Sequence, residues 1–158
     1  MDTKKEHVNL LARREIEARM AVPLIEAFAR EIGKELAIEI ASQVIQSLAK
    51  QSGQQLAEQV GGNSLADLSK GIALWQQGDA MSIELLEQSE TTLAFHVVKC
   101  RYAEMYRESG LQDYGMLLSC NRDFAMIQGF NPDITLFRTQ TIMEGKPCCD
   151  FRYTLQRS

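Results

Sequence analysis

The sequence predicts an α+β domain, with N-terminal helices packed on a small antiparallel sheet of about four strands and two short helices inserted between strand pairs. Three observations predict it. Apolar residues recur at three- and four-residue spacing up to Gln77. The period then drops to two after Gly78-Asp79, and it does so again after Asn131-Pro132, following a helical interlude. At 158 residues the chain has the size of one ordinary domain and can bury a core without staples. We read it as a single domain, 1–158, with a helical part over 1–77 and an α+β part over 80–155.

Helical spacing starts near Thr3 and runs to Gly62. Val8, Leu11, Ala12, Ile16, Met20 and Leu24 form the first apolar stripe, and Pro23 should kink or end that helix. Gly33 separates a second stripe of Leu36, Ile40, Val44, Ile45 and Leu48, which the Gly61-Gly62 pair stops. Asn63 or Ser64 can cap a third helix from Ser64 to about Gln77, carrying Leu65, Leu68, Ile72 and Trp75. Met81 to Glu87 and Thr92 to Cys100 read as strands joined through Gln88-Ser89-Glu90. Between Tyr102 and Phe130 short helices return, broken at Gly110 and ended at Gly129. Ile134 to Met143 and Cys148 to Leu155 then read as a hairpin around Glu144-Gly145-Lys146-Pro147.

Composition excludes several classes. Apolar runs are only a few residues long, too short for a transmembrane helix. No basic stretch followed by an apolar one opens the chain, so no signal peptide is expected and the expected location is cytoplasmic. The 17 basic and 21 acidic residues leave a net charge of −4. They divide as 9 against 11 before Ala80 and 8 against 10 from there on, so each part carries −2. Neither part has the basic block that would track a phosphate backbone or a membrane surface, and neither partner is expected. The long N-terminal helices suit packing against a second copy, a homo-oligomer.

Cys100, Cys120, Cys148 and Cys149 are the four cysteines, and a reducing compartment keeps such thiols free. They suit small buried packing residues. His96 and Cys100 are four residues apart, about 13 Å along a strand, and cannot form a dyad. His96 reads as a half-buried histidine, and His7 as a surface one. Glu104 in a first helical turn suits a general base or a partner for the helix dipole. Cys120 and Asp123 share one helix face, where a thiol near the N-terminus loses its proton more easily and suits a nucleophile. Arg138 suits a bidentate carboxylate ligand, or an ion pair with Asp150 or Glu144. Alternation puts Cys149 with Phe151, Tyr153 and Leu155 on the core face, and Asp150 on a polar face or lining a site. Glycine-rich phosphate loops, nucleophile elbows and His-Glu-x-x-His helices are absent from the sequence.

An ordered set of short motifs runs through the last half: Cys100-Arg101-Tyr102-Ala103-Glu104, Gly115 through Cys120-Asn121-Arg122-Asp123, and Gly129-Phe130-Asn131-Pro132. Phe137-Arg138-Thr139-Gln140-Thr141, Gly145 and Cys149-Asp150-Phe151-Arg152-Tyr153 complete it. This set resembles the L-2-amino-thiazoline-4-carboxylic acid hydrolase family over residues 80 to 155. The terminal hairpin also resembles that of vinyl-reductase-like small-molecule-binding domains, a likeness of fold more than of chemistry. The first resemblance implies a hydrolase that opens a small cyclic amidine or thiazoline carboxylate toward a carbamoyl-cysteine, on the route to L-cysteine. It implies Cys120, Asp123, Cys100 and Glu104 as catalytic residues, with Asp150 a further proton carrier. Arg138, Asn131, Thr139, Cys149 and Asp150 are then the substrate-binding residues, and no cofactor is expected. Two alternatives stand beside it. One is a non-catalytic small-molecule-binding or sensory domain; the other is a thiolate metal site using Cys100, Cys120 and Cys149 with Asp123 or His96. If one site exists, Cys100, Cys120, Asp123, Arg138 and Cys149 should meet in it.

Overall fold

The structure, a computed structural model, describes residues 8–157. Helices α1 (Leu10–Ile32), α2 (Lys34–Val60) and α3 (Leu65–Trp75) precede a hairpin of β1 (Met81–Gln88) and β2 (Thr92–Cys100). Helix α4 (Arg101–Glu108), a short turn, a π-helical turn over Met116–Cys120 and α5 (Arg122–Phe130) follow, and β3 (Ile134–Phe137) and β4 (Cys149–Leu155) close the chain. The four strands form one antiparallel sheet in the order β1-β2-β4-β3. The α+β class and the helix-then-sheet order follow the sequence reading. The part of the first expected helix before Val8, with His7, lies outside the described residues.

Local signals account for the helix ends. The Asn9 side chain accepts a hydrogen bond from the Ala12 amide at 2.8 Å, which starts α1. Gly33 divides α1 from α2 at φ 92°, a conformation that disfavours residues with a Cβ. At α3, Ser64 Oγ accepts from the Asp67 amide and Asp67 Oδ2 accepts from the Ser64 amide, both at 3.1 Å. Two otherwise unpaired helix-start donors are satisfied by that reciprocal cap.

The structure decides or corrects the sequence reading in four places. Of the two outcomes expected at Pro23, a kink or an end, the end does not occur: α1 continues through it, with Val22 and Ile25 flanking it in the core, and their burial offsets one lost backbone hydrogen bond. The stripes Ile16-Met20-Leu24 and Leu36-Ile40-Val44-Leu48 do not face the core. The buried faces carry Ala18, Val22 and Ile25 on α1, and Ala37, Ala49 and Gly53 on α2. Strand β3 stops at Phe137 instead of reaching Met143. Past it, the amides of Thr139 and Gln140 donate to Asp150 Oδ1 at 2.8 and 2.9 Å, and the Ile142 amide points at Cys149 Sγ. Donors engaged in that way cannot extend the ladder. Helix α5 runs through Gly129 to Phe130.

One face of the sheet carries Leu93, Phe95, Val97, Cys149, Phe151 and Tyr153 into the main core beneath α3 and α5. Register places Phe95 opposite Phe151, with ring centroids 5.0 Å apart. Helix α5 lies directly on α2, and glycines make that approach feasible. A Cβ on Gly53 would overlap the Met126 carbonyl, and one on Gly129 would overlap the Lys50 carbonyl. Both obstacles are helix backbone, which cannot rotate away. Gly53→Ala and Gly129→Ala should therefore each cost about 1–3 kcal/mol, read as a Tm fall of roughly 3–10 °C in a thermal melt. Gly145→Ala, in an open loop at φ 88°, serves as the comparison without a steric clash.

Candidate active site

Asp123 lies in the first turn of α5, and Arg138 is the first residue past β3. Antiparallel pairing of β3 with β4 brings that strand end beside the start of α5. Arg138 Nη1 donates to Asp123 Oδ2 at 2.7 Å and to the Cys120 carbonyl at 3.2 Å. The guanidinium carbon stands 4.9 Å from the centre of the Phe124 ring and 5.2 Å from that of Phe151. The Arg138 side chain is 3% exposed, whereas Asp123 keeps 20% of its side-chain surface open. The cation is thus held between two rings beside a partly open carboxylate.

Burial pushes the Asp123 carboxyl up to about 6, although Arg138, Arg14 and Arg122 all pull it down. A carboxyl that titrates near neutrality can both take and return a proton. Behind it, the Glu17 carboxylate meets Arg14 at 2.7 Å and Arg122 at 3.3 Å, and Arg122 Nε donates to the Leu118 carbonyl at 2.7 Å. This chain of contacts ties α1 to the π-helical turn and the start of α5.

Three thiols gather around the pair. Cys120 ends the π-helical turn, Cys100 ends β2 and Cys149 opens β4. Cys120 feels the charges of Asp123, Arg138, Cys100 and Cys149, and Cys149 feels those of Cys100, Arg138 and Asp123. Direct contacts thus join Arg138 to Asp123 and to the Cys120 carbonyl. Activation of a thiol is another matter. Burial raises Cys100, pushes Cys149 up to about 11, and lifts Cys120 well above the ordinary thiol range, with the Asp123 charge adding to the rise. Desolvation outweighs any help from the start of α5, and the Arg138 contact reaches the Cys120 carbonyl, not its sulfur.

The other expected site residues lie outside this cluster. Glu104 is exposed on α4, although Cys100 senses its charge. Asn131 builds a turn: its Nδ2 donates to the Asn63 carbonyl at 2.9 Å and its Oδ1 accepts from the Asp133 amide at 2.9 Å. Asp150 is taken up by the Thr139 hydroxyl and the amides of Thr139 and Gln140. Its burial favours the neutral acid, but these donors outweigh burial and hold it below the usual carboxylate range. Arg138 thus pairs with Asp123, and neither Asp150 nor Glu144 takes that role. Gln140 Nε2 donates to the Cys148 carbonyl at 3.0 Å, which places Cys148 on the loop side. Among the described residues, no three of His, Cys, Asp and Glu stand close enough to hold a metal ion.

Sequence reasoning missed two tyrosines. The hydroxyls of Tyr102 and Tyr153 are buried with no protein hydrogen-bond partner among the described residues. Both sense the Asp123 charge, and burial pushes Tyr102 up to about 12. An orphaned buried hydroxyl costs about 1–3 kcal/mol. Tyrosine in place of phenylalanine at core-facing position 153 was the available signal, since a buried hydroxyl calls for a partner.

The fold is a small α+β domain in which a buried Arg138–Asp123 pair joins the end of β3 to the start of α5. The chain belongs to the L-2-amino-thiazoline-4-carboxylic acid hydrolase family, whose model matches residues 13–153. No curated protein matches the chain significantly. Among solved structures, a trafficking protein particle complex subunit 3 from Naegleria fowleri, covalently bound to palmitic acid, aligns with a TM-score of 0.56 at 12% identity. That alignment covers 92% of this chain and 96% of the other. The phenol-responsive sensory domain of the transcription activator PoxR, with phenol, aligns with a TM-score of 0.54 at 12% identity, over 87% of this chain and 73% of its own. Such low identities establish a shared fold.

Two measurements test the electrostatics. Iodoacetamide at neutral pH should label Cys100, Cys120 and Cys149 slowly in the native protein and quickly after unfolding, followed by peptide mass spectrometry; a fast native Cys120 would contradict its desolvation. Folded Asp123 also holds its proton more tightly than the unfolded chain does. Its contribution to stability is therefore complete below about pH 4 and is lost as pH rises through about 6. Asp123→Asn keeps an oxygen for Arg138 but cannot ionise, and should flatten that part of the Tm–pH curve.

Proposed function

We propose that the protein is a hydrolase that opens a small cyclic amidine carboxylate of the 2-amino-thiazoline-4-carboxylate type, with Asp123 as the acid–base group and Arg138 as the carboxylate anchor. The observation that carries this reading is the buried pair itself, a cation beside a carboxyl that titrates near 6. Family membership adds the substrate class. Arg138 uses Nη1 for Asp123 and Cys120, and the other guanidinium edge makes no hydrogen bond to the described residues. A planar ligand carboxylate can use that edge.

In the proposed reaction, water attacks the ring carbon between sulfur and nitrogen as ionised Asp123 takes one of its protons. The carbon–sulfur bond then breaks and the carbonyl forms. One water proton ends on the ring nitrogen and the other on the leaving sulfur, with protonated Asp123 as the donor, so the product is a carbamoyl-cysteine. Raised thiols favour this water route over attack by Cys120 or Cys100. The unpartnered hydroxyls of Tyr102 and Tyr153 support a polar ligand there, to which each would donate. Four free cysteines suit a reducing cytoplasm.

A ligand-binding role without turnover is the second reading, supported by the fold shared with a phenol-responsive sensory domain. Incubation with L-2-amino-thiazoline-4-carboxylate and mass detection of carbamoyl-cysteine separates the two. Turnover is expected to rise with pH through about 6, as Asp123 ionises, and to fall at least about a hundredfold in Asp123→Asn with the fold retained. Arg138→Lys should act mainly on KM, since the ammonium keeps charge but loses the planar fork. A ligand-induced thermal shift without product would favour the sensory reading.

A further inference from the structure

We propose that the protein is a homodimer built on the exposed apolar face of α1 and α2. Ile16, Met20, Leu24, Phe28 and Ile32 follow one another at intervals of four along α1, and Leu36, Ile40, Val44 and Leu48 continue that spacing along α2. All nine are 44–67% exposed in the single chain. Each helix thus carries two apolar sides. Ala18, Val22 and Ile25 turn α1 toward the core, so the exposed stripe is surplus to the needs of the fold. A step of four residues advances about 6 Å and turns about 40° further round the axis, so the α1 stripe extends about 24 Å along a shallow spiral.

The area decides that this is an interface. Nine large side chains leave on the order of 100 Å² each outside the chain, judged from the size of such residues. Summed over the two helices, that exceeds the few hundred Å² of a soluble monomer's ordinary largest apolar patch. It matches the roughly 800 Å² that each partner of a stable complex buries. Charge decides what covers it. With Arg14 and Glu17 turned inward, helix α1 leaves three basic residues (Arg13, Arg19, Arg30) and three acidic ones (Glu15, Glu26, Glu31) for its outer side. Helix α2 carries two basic residues and three acidic ones. A helix that lies on an anionic membrane has a Lys- and Arg-rich polar side. Balanced charges flanking an apolar stripe suit a twofold contact, where each patch meets its own copy and every charge can find its opposite.

Sedimentation of the intact protein over about 1–100 µM should give a species of twice the 17.8 kDa chain mass, with Tm rising as concentration rises. Met20→Glu combined with Phe28→Glu should raise the dimer dissociation constant at least about a hundredfold while leaving the circular dichroism unchanged, because both side chains are exposed in the single chain. Hydrogen exchange of the wild type provides a readout that needs no variant: amides of 16–48 should gain protection with concentration. A monomer across the whole range overturns the proposal. A dimer of undiminished strength in the double variant, or concentration-independent exchange over 16–48, overturns the assignment of this face. Wild-type monomer that instead cosediments with phosphatidylglycerol vesicles assigns the face to lipid and overturns it too. None of these readouts depends on substrate or turnover.

Discussion

A guanidinium enclosed by two aromatic rings needs an anion within hydrogen-bond reach, and Asp123 meets that need for Arg138 at 2.7 Å. Much of the molecule's second half is arranged around this pair. Arg138 also holds the Cys120 carbonyl, so one side chain ties the end of β3 to the π-helical turn and the start of α5. Asp150 turns the chain just past Arg138 by capturing the next two amides, which fixes the direction in which the arginine leaves the sheet. Glu17, reaching Arg122 from α1, completes the enclosure. Placing charge in such surroundings opposes stability unless the geometry compensates, and a raised Asp123 is the residual cost.

That cost is also the chemical resource. The same desolvation acts in opposite ways on the function of the groups it touches. It moves a carboxyl toward neutrality, where proton transfer in both directions is easy, and it moves thiols away from neutrality, where they stay protonated and weakly nucleophilic. The hydroxyls of Tyr102 and Tyr153 remain the unmatched donors of the enclosure, in the same neighbourhood as the carboxyl.

Helix α1 links this centre to the outside. Its inner side supplies Arg14 and Glu17 to the polar cluster and Ala18, Val22 and Ile25 to the adjoining core, while its outer side carries the unpaired stripe. The α2–α5 contact is close enough to require Gly53 and Gly129.

Local physics made much of this legible in the sequence. Capping at Ser64, the turn at Gly33, the alternation of Leu93-Phe95-Val97 and of Cys149-Phe151-Tyr153, and the Asp123 position in a helix start all follow from periodicity and side-chain chemistry, and the structure carries each of them. Ordered short motifs likewise carried the family. What only the tertiary structure decided were the matters of partnership. Periodicity marks a stripe as apolar but does not say whether core or solvent receives it, and Ala18 and Gly53 took the inner faces because close helix approach favours small residues. Nor does spacing along the chain tell Arg138 which of three acids it will meet. Asp150 lies nearer to it in sequence than Asp123 does, yet backbone amides claimed it first. The thiols show the same limit: a helix start lowers a cysteine's pKa only where solvent still reaches it, and solvent access is a property of the assembled fold.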